Sequence, residues 1–466
     1  MSTFHLISFG CRASQSDGAA IKKQLIAGGL AESSAETSDV AVLNTCTVTA
    51  AADAEARQII RRIHRANPGC RILVTGCYAQ WASEEIAKLP GVAWVVGNSH
   101  KHHVAEILLR GSQDATTAPR ESPVWPEHVP NAPVALPPAS ETLLKISPPQ
   151  PLKAEVFVGA IEDAFHFAPV FADNRTRPTL KVQDGCNARC SFCIIPGVRG
   201  PSRSLEPARV IEQVRALEQE GYREIVLSGI NLGSYGRDLE PRLSFMALLE
   251  RILLETSIPR LRISSIEPMD VSAELIRLVA QEPRMAKHFH VPLQSGSDRI
   301  LRLMNRRYWT SQYAERLLAI REQMPHCGIG ADVMAGFPGE TEADHAQSLR
   351  FIDSMPFTYL HIFPYSARPG TPAASRPNAV DGRRMHERVR EMTALIAVKS
   401  DAFLHAQIGR KLSVLTLHKR SDGISSALSS NYLKVSLPKL DVLPNTLLEV
   451  EIGRACGDHL IAYRPK

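Results

Sequence analysis

Residues 184–193 of the sequence read DGCNARCSFC and place three thiols, those of Cys186, Cys190 and Cys193, in one short loop. This C-x3-C-x2-C spacing lets all three thiols bind one cluster, and a four-iron cluster held by three thiolates keeps one iron without a protein ligand. That iron can chelate a small molecule. A structural zinc site would need a fourth Cys or His, which residues 194–196 lack. The loop predicts an iron–sulfur cluster with an open coordination position, with a zinc knuckle as the alternative.

A series of β/α units continues from this loop. Six apolar strand patterns alternate with helical patterns between Thr179 and Phe363, and the cysteine loop follows the first strand. Because a closed barrel of this type has eight units, six units predict an open, partial (β/α)6 barrel. Active sites of such barrels form at the carboxyl ends of the strands, which is where the cysteine loop would lie.

The N-terminal region has the same alternation and carries a second set of cysteines. Cys11, Cys46 and Cys77 each follow a predicted strand, in the sequences SFGC, LNTC and VTGC. The carboxyl ends of parallel strands share one edge of the sheet, so these distant thiols would meet there. The pattern predicts a second three-thiol cluster site. The alternative is small apolar residues at strand ends.

The sequence predicts an α/β protein with four regions. Residues 1–112 form a parallel α/β sheet domain, and residues 113–175 form a proline-rich linker with ten prolines between Pro119 and Pro151. Residues 176–402 form the partial barrel. Residues 403–466 form a small all-β module with short β-type runs.

Composition limits the possible classes of protein. The 44% of hydrophobic residues suit packed cores, and the formal net charge of +6 suits a polyanionic partner. Since neither a secretory signal nor an apolar run of about 18 residues is visible, we expect a cytoplasmic protein without membrane contact. In a reducing compartment the nine cysteines are better interpreted as ligands than as disulfides. Cys70, Cys327 and Cys456 are interpreted as structural or incidental.

Together the two cysteine sets resemble the radical S-adenosylmethionine methylthiotransferase family, over nearly the whole chain outside the linker. The 186–193 loop resembles the family's radical site, and the Cys11, Cys46 and Cys77 arrangement resembles its auxiliary-cluster domain. The C-terminal module resembles a TRAM domain, an RNA-binding fold. Further motifs are most similar to the branch that acts on threonylcarbamoyladenosine at position 37 of tRNA. They are NTCTVT (44–49), CIIP (193–196), RGPSRS (199–204), SSIEP (264–268), HVPLQSGS (290–297), FPYS (363–366) and GTP (370–372).

The resemblance implies a transferase that adds a methylthio group to C2 of N6-threonylcarbamoyladenosine in tRNA. It implies two [4Fe-4S] clusters, S-adenosylmethionine and an electron donor as cofactors and partners, and no DNA. Because C2 of adenine has no acidic proton, cofactor chemistry replaces acid–base catalysis, and no side-chain acid or base is predicted. The alternatives are methylthiolation of isopentenyladenosine in tRNA, methylthiolation of a ribosomal-protein aspartate, and a zinc-stabilised RNA-binding module.

Residues beyond the cysteines are predicted from their places after strands and on helix faces. Contacts with the cofactor are predicted for Phe192, Gly229, Asn231, Ser265, Glu267 and Gln294; ordinary loop chemistry is the alternative. Contacts with RNA phosphates are predicted for basic residues at a helix face, at the barrel mouth and in the β module, with a solvated surface as the alternative. These residues are Arg57, Arg61, Arg65, Arg302, Arg306 and Lys434.

Overall fold

The computed structural model describes residues 2–110, 154–161, 176–417, 424–438 and 442–463. The chain divides into two compact units. The first comprises Met1–Ser8, Ile21–Thr45 and Glu55–Gly159, and the second comprises Phe9–Ala20, Cys46–Ala54 and Ala160–Lys466. The short segments that carry Cys11 and Cys46 therefore belong to the second unit.

The first unit contains a parallel sheet. Its strands in the described residues are β1 (Thr3–Ser8), β2 (Ala31–Glu32), β3 (Val40–Thr45), β4 (Arg71–Gly76), β5 (Val92–Val96) and β6 (Glu155–Phe157). The order across the sheet is β2-β1-β3-β4-β5-β6, and every pairing is parallel. Every residue of β3 is buried, as expected for a central strand covered on both faces. The predicted parallel α/β sheet is confirmed.

The helices of the N-terminal region connect these strands. They are α1 (Arg12–Ala27), α2 (Ala50–Ala66), α3 (Cys77–Trp81), α4 (Ser83–Ala87) and α5 (Val104–Arg110). In the core of this sheet Leu25 and Val104 pack with strand residues such as Phe4 and Trp94. Apolar residues at helical spacing thus cover the sheet, which is why the alternating pattern was visible in the sequence.

One part of the predicted linker has a different structure. Residues 155–157, within the range predicted to be linker, form the edge strand β6 and pair with β5 from Trp94 to Val96. The run Glu155-Val156-Phe157 supplies β-branched and aromatic residues that favour a strand, and β5 offers an open edge. Residues 113–153 and 162–175 lie outside the described residues. The domain boundaries at 112, 175 and 402 stay predictions.

The second unit contains the barrel. Its strands are β7 (Thr179–Lys181), β8 (Gln183–Asp184), β9 (Arg203–Ser204), β10 (Glu224–Ser228), β11 (Arg260–Ile263), β12 (His288–His290), β13 (Gly328–Ala335) and β14 (Tyr359–Pro364). Two parallel sheets, β11-β10-β7 and β12-β13-β14, are joined by the bridges Leu261–Met285 and Ser265–His290. Six parallel strands thus form an arc, and the predicted open partial barrel is confirmed.

Helices follow the strands of this arc along the chain. They are α6 (Ile195–Arg199), α7 (Pro207–Gln219), α8 (Phe245–Glu255), α9 (Ala273–Gln281), α10 (Asp298–Leu303), α11 (Thr310–Gln323), α12 (Glu342–Ser354) and α13 (Gly382–His405). Several begin at side-chain caps: Ser244, Ser272 and Thr341 each accept a hydrogen bond from a backbone amide in the first turn. These caps fix where each strand-to-helix loop ends, and the loops form the carboxyl edge of the barrel.

The C-terminal region of the second unit is all β. Its strands are β15 (Lys411–Thr416), β16 (Ser425–Ser429), β17 (Lys434–Leu437), β18 (Leu447–Cys456) and β19 (His459–Ala462). They close into a barrel in the order β15-β16-β17-β19-β18, which leaves no unpaired strand edge among them. The predicted all-β module is confirmed. In the described part of the chain no helix combines the length and apolarity needed to cross a bilayer.

Candidate active site

The loop with Cys186, Cys190 and Cys193 follows the first barrel strand and is held by polar side chains. The Gln183 amide donates hydrogen bonds to the carbonyls of Asp184 and Gly185, at 2.9 and 2.8 Å, and to the Ser202 hydroxyl at 2.9 Å. The pairing of β8 with β9 closes the base of the loop. The start of the loop is therefore fixed before the first cysteine.

The surroundings of the three thiols suit a cationic cluster. Burial raises the pKa of Cys186 and raises that of Cys193 to about 12, and the charge of Cys190 raises both further. Cys186 Sγ accepts from the backbone N–H of Ala188 at 3.4 Å, and Cys190 Sγ accepts from the Arg306 guanidinium at 3.3 Å. Thiolates that repel one another in a partly buried loop are stabilised by binding iron, so the residues present fit an iron–sulfur cluster.

A cavity of about 440 Å³ adjoins this loop. Cys190 lines it together with Asn231, Glu267, Arg306 and Tyr308. The buried Oδ1 of Asn231 has no hydrogen-bond partner within the described residues, while its Nδ2 lies 4.0 Å from Cys186 Sγ. The cavity therefore offers a carboxylate, a guanidinium and an unsatisfied amide oxygen beside the thiols. These groups suit a polar ligand that carries both a positive and a negative charge.

The second cysteine set depends on the strand order of the first unit. Strands β1, β3 and β4 are neighbours: Ser8 pairs with Asn44, and Thr45 pairs with Gly76. Cys77 directly follows β4, Cys46 directly follows β3, and Cys11 lies three residues after β1. Their strands thus end side by side at one edge, as predicted.

Two glycines precede cysteines of this set and allow close approach. Gly10 has φ +86°, and a Cβ at this position would lie 2.7 Å from the Sγ of Cys46, so the backbone before Cys11 passes directly against Cys46. Gly76 has φ +100°, and a Cβ there would lie 2.7 Å from the backbone nitrogen of Thr45. Only glycine fits both constraints without strain.

Polar groups also contact the thiols of this set. The Asn98 amide donates to Cys77 Sγ at 3.4 Å, and the Ser14 hydroxyl lies 3.7 Å from Cys11 Sγ. Cys46 and Cys77 are buried, whereas Cys11 is exposed. Thiols with hydrogen-bond donors at a strand edge fit a cluster better than they fit an apolar core.

Two family models match the regions that carry the two cysteine sets. Residues 180–352 match the radical SAM superfamily, and residues 3–97 match the family described as "Uncharacterized protein family UPF0004". The chain is 36% identical to the threonylcarbamoyladenosine tRNA methylthiotransferase MtaB of Aquifex aeolicus, over 92% of this chain and 95% of that protein. It is 34% identical to MtaB of Bacillus subtilis, over 98% of this chain and 94% of the relative.

The chain belongs to the radical SAM methylthiotransferase family. It is an enzyme, a transferase, and its cofactors are S-adenosylmethionine and two [4Fe-4S] clusters. A further relative is the tRNA-2-methylthio-N(6)-dimethylallyladenosine synthase of Pelotomaculum thermopropionicum, 30% identical over 91% of this chain and 88% of that protein. A radical S-adenosylmethionine methyltransferase from Kitasatospora setae, solved with cobalamin and a [4Fe-4S] cluster, has a similar fold. Its TM-score is 0.54 at 16% identity, covering 80% of this chain and 74% of that chain.

The cofactor contacts predicted for this methylthiotransferase divide into two groups. Asn231 and Glu267 line the cavity beside Cys190. The other four are not among its lining residues. Phe192 packs edge-on against Phe337 at 6.5 Å, and Gly229 packs against Gln183. Ser265 is exposed, and Gln294 adopts φ +64° in a bridge with Val333. The sequence located the strand ends but not the direction in which each side chain points.

Arg306, which was predicted to contact RNA, lines the cavity beside the cysteine loop, and its contact with RNA stays a prediction. Its side chain is only 7% exposed, forms an ion pair with Glu267 and donates to Cys190 Sγ. The reason is the turn after α10: Asn305 adopts φ +58° and its amide donates to the carbonyl of Arg189 at 2.6 Å, which brings the next residue to the cysteine loop. Asn directly after a helix is a signal for such a turn. Arg306 is therefore a cavity residue that the sequence analysis missed.

The other residues predicted to contact RNA either form ion pairs with carboxylates of the protein or are exposed on the surface. Arg57 donates to the Tyr78 hydroxyl at 2.7 Å and pairs with Glu85 at 3.1 Å. The exposed Lys434 pairs with Asp458 at 2.6 Å. Three remain exposed and accessible to a polyanion; they are Arg61, Arg65 and Arg302.

The sequence analysis also missed a polar cluster on the barrel strands. Ligand atoms of His290, Asp332 and His361 lie within 4.8 Å of one another, and both imidazoles are 3.1 Å from Asp332 Oδ1. The imidazoles lower the pKa of Asp332 although its burial opposes this. These residues lie on three different strands, and only the pairing of those strands brings them together.

Proposed function

We propose that this enzyme adds a methylthio group to C2 of N6-threonylcarbamoyladenosine at position 37 of tRNA. The main support is the 36% identity to a relative of that name over nearly the whole length of both proteins, together with two cysteine trios at strand ends. Other relatives that match over at least 90% of both chains carry the same name, including those of Rickettsia prowazekii and Chlamydia pneumoniae. A dimethylallyladenosine synthase is similar at 30% identity, so the name alone does not decide the substrate.

The cysteine trios are the proposed ligands of the two clusters. Cys186, Cys190 and Cys193 hold the cluster that binds S-adenosylmethionine, and Cys11, Cys46 and Cys77 hold the auxiliary cluster. When bound, these groups supply radical chemistry at an unactivated C–H bond and the sulfur that is transferred. Asn231 and Glu267, which line the cavity, orient the cofactor.

Arg306 has a separate role in this proposal. It lies between the Cys190 thiolate and the Glu267 carboxylate and contacts both. A buried guanidinium in this place neutralises the charge of the cysteine loop and fixes the orientation of Glu267. Arg306, from the turn after α10, would then link the cysteine loop to Glu267.

The partners follow from the proposed reaction. The polyanionic substrate is tRNA, and the exposed Arg61, Arg65 and Arg302 are candidate phosphate contacts. If about six phosphates are contacted, log affinity falls with log salt at a slope of roughly −4 to −5. An electron donor is required. A cytoplasmic location, with neither DNA nor a membrane as partner, fits a reaction on tRNA.

Mass spectrometry of tRNA nucleosides tests the proposal. A strain without the gene should lack 2-methylthio-N6-threonylcarbamoyladenosine and accumulate the unthiolated nucleoside, and the wild-type gene should restore the product. The Cys190→Ala gene should not restore it. An unchanged product in the deletion strain would reject the substrate assignment. Loss of methylthio-isopentenyladenosine, or of the methylthio group on a ribosomal protein, would identify the alternative substrate.

Metal analysis tests the cofactor assignment separately. Anaerobically purified enzyme should contain roughly eight iron and eight sulfide per chain. Stoichiometric zinc without iron would instead support an RNA-binding module with structural zinc. Replacing Cys11, Cys46 and Cys77 together should remove about half of the iron, whereas an unchanged iron content would contradict the auxiliary site.

A further inference from the structure

Two cysteine-bearing segments of the second unit are each joined to the barrel by a buried ion pair. The segment after Cys11 supplies Asp17, which pairs with Lys181 and with Arg199, the latter at 3.1 Å. The segment after Cys46 supplies Asp53, which pairs with Arg368 at 2.6 Å. Both aspartates lie within two turns of the start of a helix that begins just after a cysteine. Each segment thus has a buried aspartate near the start of a helix that pairs with a basic residue of the barrel region.

The first ion pair is part of a balanced buried network. Arg199, 2% exposed, also contacts Asp184 at 2.9 Å, and Lys181 contacts Asp184 at 2.7 Å. Two cations therefore face two carboxylates. Each of the two buried carboxylates contacts both cations.

This network connects the two cysteine segments by continuous contacts. Asp184 accepts a hydrogen bond from the backbone N–H of Gly185 at 2.8 Å, and Gly185 precedes Cys186. On the other side Arg199 donates to the Ser14 hydroxyl at 3.3 Å, and that hydroxyl lies 3.7 Å from Cys11 Sγ. Every step from Cys11 to the start of the radical-site loop is therefore a named polar contact.

The second ion pair leads to the same loop. Arg368 donates to the hydroxyl of Thr47, the residue after Cys46, at 2.6 Å, and the Ser366 hydroxyl accepts from the backbone N–H of Ala50 at 2.9 Å. Five residues after Arg368, the N–H of Ala373 donates to the carbonyl of Ser191, inside the radical-site loop, at 2.8 Å. The segment after β14 thus contacts both Thr47, the neighbour of Cys46, and the 186–193 loop.

Stability alone is a poor explanation for these charges. Desolvation of a buried ion pair consumes most of its Coulomb energy, and apolar residues of similar volume often stabilise a protein as well or better. The attested benefit of buried charge is registry, because only one arrangement satisfies every charge. Radical transfer requires such registry, since a misplacement of about 1 Å can reduce a rate about 100-fold.

We propose that Arg199 and Arg368 are positioning residues that hold Cys11 and Cys46 at a fixed distance from the 186–193 loop, so that each radical formed is used for sulfur transfer. This inference rests on the proposed methylthiotransferase reaction. It assigns the two arginines no contact with the substrate. Their loss should therefore affect the yield of the reaction rather than the cleavage of S-adenosylmethionine.

The test separates cleavage from transfer. Asp17→Asn and Asp53→Asn keep the side-chain volume and remove one charge from each ion pair. Arg199→Lys and Arg368→Lys keep the charge and remove the guanidinium, which at each position contacts more than one side chain. Anaerobic enzyme is assayed for 5′-deoxyadenosine and for methylthio product. We expect 5′-deoxyadenosine within about threefold of wild type and a product yield per 5′-deoxyadenosine at least tenfold lower in the Asn variants. The product yield of the Lys variants should lie between those of wild type and the Asn variants, because the Lys variants keep part of the registry.

A spectroscopic readout and a matched control complete the experiment. Electron paramagnetic resonance should show a changed spin–spin interaction between the two reduced clusters in Asp17→Asn and Asp53→Asn, at unchanged iron content. The control is Arg260→Met, which breaks a buried ion pair with Glu224 at the amino end of β11. This variant should be less stable but keep the wild-type yield.

The outcomes distinguish the two proposals. Wild-type enzyme that makes no methylthio product would reject the proposed function. A wild-type enzyme that makes it, with Asn variants that keep both its yield and its spin–spin interaction, would overturn the positioning role alone. If an Asn variant loses iron, the product yield of the Lys variant at the same ion pair tests the positioning role instead. A yield below that of wild type supports the role, and a wild-type yield contradicts it.

Discussion

The two cysteine sites of this enzyme are built in opposite ways. Cys186, Cys190 and Cys193 come from one loop of eight residues, which local side chains such as Gln183 hold in place. Cys11, Cys46 and Cys77 come from three strand ends, and only the order and register of the sheet bring those ends together. The first site is a property of the local sequence, and the second is a property of the tertiary fold.

This difference predicts how each site fails. A change in the loop affects the ligands of the radical cluster directly and leaves the sheet intact. A change near the strand ends affects the auxiliary site through the backbone, because Gly10 and Gly76 pack against the neighbouring strand ends. The two sites should therefore be separable by mutation.

The largest effect is expected for Cys190→Ala. The thiolate is one of three ligands, and Arg306 and Glu267 are arranged around it, so its loss removes the radical cluster and the chemistry that the cofactor supplies. We expect 5′-deoxyadenosine formation to fall by at least about 1,000-fold, with about four iron retained. Product analysis by chromatography and an iron assay measure this. Cys456→Ala, an exposed cysteine of the C-terminal barrel, is the control; a similar loss there would contradict the assignment.

Cys46→Ala should separate the two sites. Because the radical cluster has its own ligands, cleavage of S-adenosylmethionine should stay within about threefold of wild type, while methylthio product falls by at least about 100-fold. About four iron should remain. If cleavage of S-adenosylmethionine fell as much as methylthio transfer, the two sites would not be independent, and the result would contradict the comparison between them.

Sequence reasoning succeeded where the signal was a spacing or a period. The 186–193 motif pointed to the radical SAM superfamily that residues 180–352 match, and alternating apolar runs located the six parallel strands of the partial barrel, because buried parallel strands leave that pattern. It did not place Arg306 beside Cys190, since the left-handed turn at Asn305 decides where that side chain points. The cluster of His290, Asp332 and His361 could not be found, because strand pairing alone brings those residues together.

Arg306→Leu should have a smaller effect on the radical site. The variant removes the charged hydrogen bond to Cys190 and leaves Glu267 without its partner, a loss of roughly 1.5–3 kcal/mol for such a contact. We expect cleavage of S-adenosylmethionine to fall at least about tenfold, with iron content unchanged. Arg277→Leu, at an exposed position of α9 that is not among the residues lining the cavity, is the control and should change cleavage less than twofold. Equal effects would show that the burial of Arg306 has no part in the chemistry.

The smallest effect is expected for Gly10→Ala, which tests the dependence of the auxiliary site on close backbone approach. A methyl group at this position meets the Cys46 side chain and must adopt φ +86°, so it should displace Cys46 and lower retention of the auxiliary cluster about two- to threefold during desalting. Gly29→Ala is the matched control, since Gly29 has the same φ of +86° but no atom within 4 Å of the new Cβ. Both variants carry the same backbone strain, of about 1–2 kcal/mol, and Gly10→Ala should lose further thermal stability because its added carbon also clashes with the Cys46 side chain. Only Gly10→Ala should lose iron, because only there does the added carbon meet a cluster ligand. Equal iron in the two variants would mean that the sheet edge tolerates displacement, and that the auxiliary site is less dependent on the fold than its scattered ligands imply.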